Sequence, residues 1–216
     1  MDVYDAIRSR RDVRRFRPDP VPDDVLVRIL EAAHHAGSVG FMQPWNFLVV
    51  RSDNVRRKVF EIFERENARA AENYVGDRRS LYDSLKLQGV LDAPLNLVVT
   101  CDRGRGGPHV LGRNTIIDTD VYSTCCAIQN LWLAARAEGV GVGWVSIFDP
   151  AAVKELLNIP EQVLLVGYLC VGYPVEFDDR PMLEKVAWAD RLPLCDLVFE
   201  DSWGGEARLS SGIEKR

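Results

Sequence analysis

Histidine is scarce in this chain. The three present, His34, His35 and His109, form no Cys/His/Glu grouping at ligand spacing, so no metal site is expected. There is no GxSxG elbow and no HExxH pair. The five cysteines (Cys101, Cys125, Cys126, Cys170, Cys195) are odd in number, lack CxxC spacing and lie mostly in apolar runs. They read as small buried hydrophobes in a reducing compartment. No apolar h-region follows Met1-Asp2-Val3-Tyr4-Asp5, so no signal peptide is expected. The longest mainly apolar run, 121–135, is too short to span a bilayer and is interrupted by Ser123, Thr124, Gln129 and Asn130. An excess of positive charge is missing too. Against 32 Asp and Glu stand 27 Lys and Arg, and a net charge of −5 argues against a general nucleic-acid binder. These absences lead to the expectation of a cytoplasmic protein with neither nucleic acid nor membrane as partner.

What is present suits one domain. A length of 216 residues with 47% hydrophobic and 27% charged content can bury a sizeable core. The domain is expected over 1–205, and the weakly apolar stretch 206–216 is expected to be a disordered tail. Residues 2–9 read as a short helix leading into arginines. Pro18, Pro20 and Pro22 form a stiff connector, and acids at 23 and 24 begin a helix with Val25, Ile29, Leu30 and Ala33 on one face. Strands are expected over 47–50, 95–101, 143–147 and 164–171, the last central because it is fully apolar. Helices are expected over 53–72, 79–90, 120–138 and 150–157. The helix over 120–138 is apolar nearly all round and is therefore expected to be buried. The Gly-rich stretch 102–119 reads as a long loop, of the kind that serves as a lid. This alternation of helices and strands predicts an α+β or α/β domain.

The densest charge is Arg8-Ser9-Arg10-Arg11-Asp12-Val13-Arg14-Arg15. A basic cluster in an acidic protein suggests a specific anion site, although a solvated basic face is the plainer alternative. Arginines at a helix C-terminus also complement its dipole. Arg10, Arg11 and Arg14 are close enough to converge on one ligand, and guanidinium forks suit phosphate oxygens. For Arg14 a further role is a fixed cation beside a ring that gains negative charge on reduction. Asp12 is the odd member, either a salt-bridge partner or a proton-handling group. Gly139-Val140-Gly141-Val142-Gly143 follows a helix and leads into a strand, the reverse of a dinucleotide fingerprint, so a helix cap and close backbone packing are expected there. Ser146 ends an apolar strand, where a hydroxyl can simply satisfy a backbone group.

These segments carry a resemblance. Ser9-Arg10-Arg11-x-Val13-Arg14 followed by Gln43-Pro44-Trp45-Asn46-Phe47 resembles the FMN-dependent nitroreductase superfamily. Further strings, Gly37 to Asn46, Ser84-Leu85-Lys86-Leu87, Thr100-Cys101-Asp102-Arg103, Val110-Leu111-Gly112-Arg113 and above all Gln129 to Phe148, resemble its 5,6-dimethylbenzimidazole synthases, the aerobic flavin destructases. The resemblance runs from Tyr4 to Trp203. One departure is Gly37, where a proline is expected.

The resemblance implies an α+β fold with a mostly antiparallel central sheet flanked by helices. It also implies an intertwined homodimer with FMN sites at the subunit interface. Arg10 and Arg11 would hold the FMN phosphate and ribityl region, with Asp12 and Val13 beside them, and Arg14 would lie near the N1/O2 edge of the ring. Ser38, Met42, Gln43 and Pro44 would approach the ring, partly from the other subunit. Lys86 would be a polar flavin contact and Arg191 a C-terminal phosphate contact. Asp12 stands where the wider superfamily commonly has serine or threonine, and Ser146 matches a second residue tied to the synthases' chemistry. The implied reaction converts reduced FMN and O2 into 5,6-dimethylbenzimidazole, the lower ligand of vitamin B12, and D-erythrose 4-phosphate, with a separate reductase supplying the reduced flavin. Two alternatives remain open at this point: an FMN-dependent NAD(P)H reductase of nitro compounds, quinones or enones, and a non-catalytic flavin-binding protein.

Overall fold

In the computed structural model, which describes residues 1–207, four strands among those residues form one antiparallel sheet. They are β1 (Trp45–Val50), β2 (Leu95–Asp102), β3 (Gly141–Val145) and β4 (Val163–Gly172), in the order β1-β2-β4-β3. Alternation along β2 sends Leu95, Leu97 and Val99 to one face and Val98 to the other. The first face packs against α2 (Asp23–His34) and α5 (Thr119–Ala137), the second against α3 (Asp53–Ala71) and α6 (Pro150–Leu156). With helices packed on the two faces of an all-antiparallel sheet, the first unit, Met1–Phe177, is an α+β fold. The apolar strand expected to be central is β4, which pairs with both β2 and β3.

Local chemistry sets the element ends. Asp2 caps α1 (Val3–Ser9) by accepting from Asp5 N at 2.8 Å, and Ser52 caps α3 by accepting from Val55 N. Three expectations shift. The helix expected over 79–90 is α4 (Gly76–Ser84), and 85–94 is irregular. A Cβ at Gly89 would lie 2.6 Å from Phe16 Cε2 and 3.0 Å from Arg14 O, so this stretch is shaped by tight docking rather than by helical propensity. Strand β3 begins at Gly141 instead of 143, because Gly141 and Gly143 pair with Gly172 and Cys170 of β4. Helix α5 is buried through Ile128, Leu131 and Ala135 but not all round: Tyr122, Cys125 and Cys126 are exposed. Of the cysteines expected inside, Cys101 and Cys170 are buried and Cys195 is intermediate. Among the described residues no helix is long and apolar enough to cross a membrane.

The second unit begins at Asp178. It contains a short helix, α7 (Met182–Lys185), in which Lys185 Nζ meets Asp178 Oδ1 at 2.6 Å, and a 3-10 turn at Leu194–Asp196. Arg191 lies between them and is exposed. Of the expected tail 206–216, residues 208–216 lie outside the described residues.

Candidate active site

After α1 the chain turns extended at Arg10 (φ −61°, ψ 134°) and runs along the outer edge of β3. Each arginine has a distinct anchor. The Arg11 Nη1 donates to the carbonyls of Arg8 and Arg10, both at 2.7 Å, closing off the end of α1. The Arg10 guanidinium lies over the Trp132 ring, 4.6 Å from its centroid. Trp132 Nε1 donates to Arg11 O at 3.2 Å, and Arg136 Nε donates to Ser9 O at 3.2 Å, so α5 holds this segment from below.

Asp12 sits where the segment meets β3. Val13 N donates to Val142 O at 3.0 Å, and Trp144 N donates to Asp12 Oδ1 at 2.9 Å. Both carboxylate oxygens also accept from the Arg14 fork, whose Nη2 donates to Trp144 O at 3.3 Å. The closeness is permitted by Gly143, where a Cβ would stand 2.0 Å from Val13 O and 2.8 Å from Arg14 Nη1. Gly139, at φ +73°, ends α5, so the glycine run is a helix cap followed by close backbone packing, as its context suggested.

Desolvation pushes the Asp12 carboxyl above the ordinary aspartate value, although its side chain is 40% exposed; the charge and hydrogen bonds of Arg14, then Trp144 N–H and Arg10, pull the other way. The loss of hydration where Asp12 meets β3 outweighs the arginines. Arg14 is 15% exposed, and its Nε is buried with no hydrogen-bond partner among the described residues. Val13 turns its side chain into the core over Gly141. Ser146 is exposed immediately past the end of β3, two residues beyond Trp144.

The other expected residues fall in two places. Lys86 Nζ pairs with Asp92 at 3.0 Å in the stretch that docks on Arg14 and Phe16 through Gly89. Ser38 Oγ accepts from Gln43 N at 3.0 Å in a turn where Gly40, Phe41 and Gln43 have φ of +52°, +53° and +50°. Met42 and Pro44 are buried, and Gln43 is half-buried. This turn hangs on α5 through Val39 N, which donates to Ser123 Oγ at 3.1 Å, whereas Arg10 and Arg11 meet α5 at Trp132. Nine residues separate those two anchors, about 13 Å along a helix. Within one chain, the arginine segment and the Ser38–Pro44 turn are therefore held at different points of α5.

Several residues around these groups escaped the sequence reading. Arg105 donates to Gln43 O at 2.7 Å and Trp45 O at 2.8 Å and bonds Asn46. Asp120, fully buried, pairs with Arg113 at 2.7 Å and Arg103 at 3.2 Å. The available signal was an aspartate in the first turn of an apolar helix, preceded by three arginines in a glycine-rich loop. Beside the turn is a cavity of about 590 Å³ lined by Leu30, His34, Met42, Trp45, Phe47 and Arg105, among others.

The nitroreductase family model matches residues 7–173. The chain is 44% identical over 193 residues to a 5,6-dimethylbenzimidazole synthase of Rhodospirillum rubrum, covering 89% of this chain and 92% of that one. It is 43% identical over 191 residues to a 5,6-dimethylbenzimidazole synthase of Rhodobacter capsulatus, covering 88% and 92%. Among solved structures it resembles an oxidized iodotyrosine deiodinase bound to FMN and 3-iodo-L-tyrosine, with a TM-score of 0.69 at 26% identity, covering 82% of this chain and 92% of that one. The arginine segment on the sheet edge and all four strands fall within the matched residues, and the chain belongs to the nitroreductase family.

Proposed function

We propose that this protein is a 5,6-dimethylbenzimidazole synthase that consumes reduced FMN and O2 and releases 5,6-dimethylbenzimidazole and D-erythrose 4-phosphate. The observation that carries the reading is the Asp12 carboxylate, oriented by Trp144 N–H and the Arg14 fork amid a run of arginines, in a chain 44% identical to a synthase over most of both lengths. The residues fit a flavin mononucleotide. Arg10 and Arg11 present guanidinium groups suited to phosphate, and Arg14 keeps a buried Nε without an acceptor among the described residues. Bound reduced FMN supplies the electrons that reduce O2 and is itself the substrate that is broken.

The chain's own residues then have separable tasks. Arg10 and Arg11 hold the phosphate and ribityl end, with Val13 and Lys86 nearby. Arg14 sets a positive charge at the ring's N1/O2 edge, where negative charge collects on reduction. Asp12 is the general base or acid at the ribityl chain, and the upward push on its carboxyl brings it closer to the range where protons are both taken and returned. Ser146 orients the ring by hydrogen bonding. The protein acts as a homodimer, in which Ser38, Met42, Gln43 and Pro44 of one subunit complete the site of the other. A separate flavin reductase supplies reduced FMN in the cytoplasm, a reducing compartment in which the five free cysteines remain thiols.

The decisive experiment incubates the protein with excess reduced FMN in air, with and without NAD(P)H and an electron acceptor, and separates the products by chromatography. Stoichiometric loss of flavin with formation of dimethylbenzimidazole is expected. Intact flavin with rapid NAD(P)H consumption overturns the reading in favour of a reductase, and intact flavin without turnover favours a flavin carrier.

A further inference from the structure

The loop 103–118 and the turn 38–43 are tied into one body. Their contacts run in opposite chain order: a Cβ at Gly112 would lie 3.3 Å from Val39 Cγ2, one at Gly40 would lie 2.7 Å from Leu111 O and Val110 Cγ1, and one at Gly106 would lie 3.7 Å from Met42 Cγ. Arg105 then closes the series on Gln43 O at 2.7 Å. Gly40 is the tightest point, since its left-handed φ and the absent Cβ are both required there. The interlocked pair is fastened to the first turns of α5 from both sides. Ser123 Oγ holds the turn at Val39 N, and Asp120 holds the loop at its first residue, Arg103, and again within it at Arg113.

Asp120 is the keystone of this arrangement. It has 0% exposure, and its carboxylate takes Arg113 Nη2 at 2.7 Å, Arg103 Nε at 3.2 Å and its neighbour's Val121 N at 2.7 Å. Arg103 continues to Asp118 at 2.7 Å, so two arginines face two aspartates and the charges balance. Removing the Asp120 charge would leave the mostly buried Arg113, 17% exposed, beside a neutral group. We propose that Asp120 is a positioning residue: by locking Arg103 and Arg113 it fixes loop 103–118, and through that loop it sets the position of the Ser38–Pro44 turn at the flavin. The last step rests on the proposed function, whereas the coupling of loop and turn does not.

Hydrogen exchange of the full-length, flavin-free protein tests the coupling. In Asp120→Asn, exchange is expected to quicken about tenfold in 104–113 and together with it in 38–43, although the partners of the carboxylate lie at 103, 113 and 121, while the β4 amides keep their rates. FMN titration by fluorescence quenching should then show Kd raised about tenfold, and KM for reduced FMN should rise in step with a smaller change in kcat. Acceleration confined to the loop, or none at all, overturns the coupling. Joint loosening with unchanged FMN affinity overturns the positioning role. If Asp120→Asn does not fold, Gly40→Ala, whose methyl would meet Leu111 O and Val110 Cγ1, parts the two segments while leaving Asp120 and its arginines in place, and is expected to quicken exchange in both; faster exchange in the turn alone would overturn the proposal. A wild-type protein that leaves reduced FMN intact would sink the proposed reaction without bearing on these exchange rates.

Discussion

Asp12 answers to neighbours that pull in opposite directions. Desolvation raises its carboxyl above 3.8, while Arg14 and the Trp144 N–H lower it. The folded protein therefore holds this proton more tightly than the unfolded chain does. The stability that Asp12 contributes is complete below 3.8 and is lost as pH rises through its folded value. If the ionised form is the working base, product formation switches on over that same rise, at a pH above that of an ordinary aspartate. Asp12→Asn should keep FMN binding within a few-fold, lower dimethylbenzimidazole formation by about 10²–10⁴-fold, and erase the acid slope of the urea midpoint. Unchanged product yield would remove Asp12 from the chemistry. The residue was conspicuous in the sequence as an acid among arginines, but the balance of its neighbours was not. That balance depends on Trp144, 132 residues away, and on a fold that brings β3 alongside.

At the scale of elements, the meeting of residues 12–14 with β3 depends on Gly143. In Gly143→Ala the new methyl would overlap Val13 O, and stability should fall by about 2–4 kcal/mol in urea titrations. The paired strands β2 and β4 yield a second prediction. Burial pushes the Cys170 thiol up to about 12 and also raises Cys101, so both should resist alkylation until the protein unfolds. Early labelling of either would mean that the sheet opens locally. Most element types were readable from the apolar pattern, because α3 buries Val59, Ile62 and Phe63 and β4 buries its second half, from Gly167 to Gly172. The failures share a cause. Residues 85–90 read as helical until Phe16 and Arg14 crowd Gly89, and the Tyr122–Cys126 side of α5 reads as core although its own chain does not cover it. Tertiary contacts decide both, and they leave no local periodicity.

For the whole molecule, sedimentation should report twice the 24.3 kDa of one chain, and dilution into monomers should weaken FMN binding. A monomer that binds FMN with undiminished affinity would contradict a site completed by the second subunit. The sequence marked both segments of the proposed site, Arg10 to Arg14 and Ser38 to Pro44, yet periodicity within a chain carries no record of whether one copy or two would supply them. The run along β3 has one more consequence. An open strand edge invites a foreign strand, and here the chain's own residues 12–14 occupy it. On the proposed function, reaction chemistry and resistance to aggregation draw on the same few residues. Trimming the N-terminus would then unseal the sheet as well as silence the enzyme.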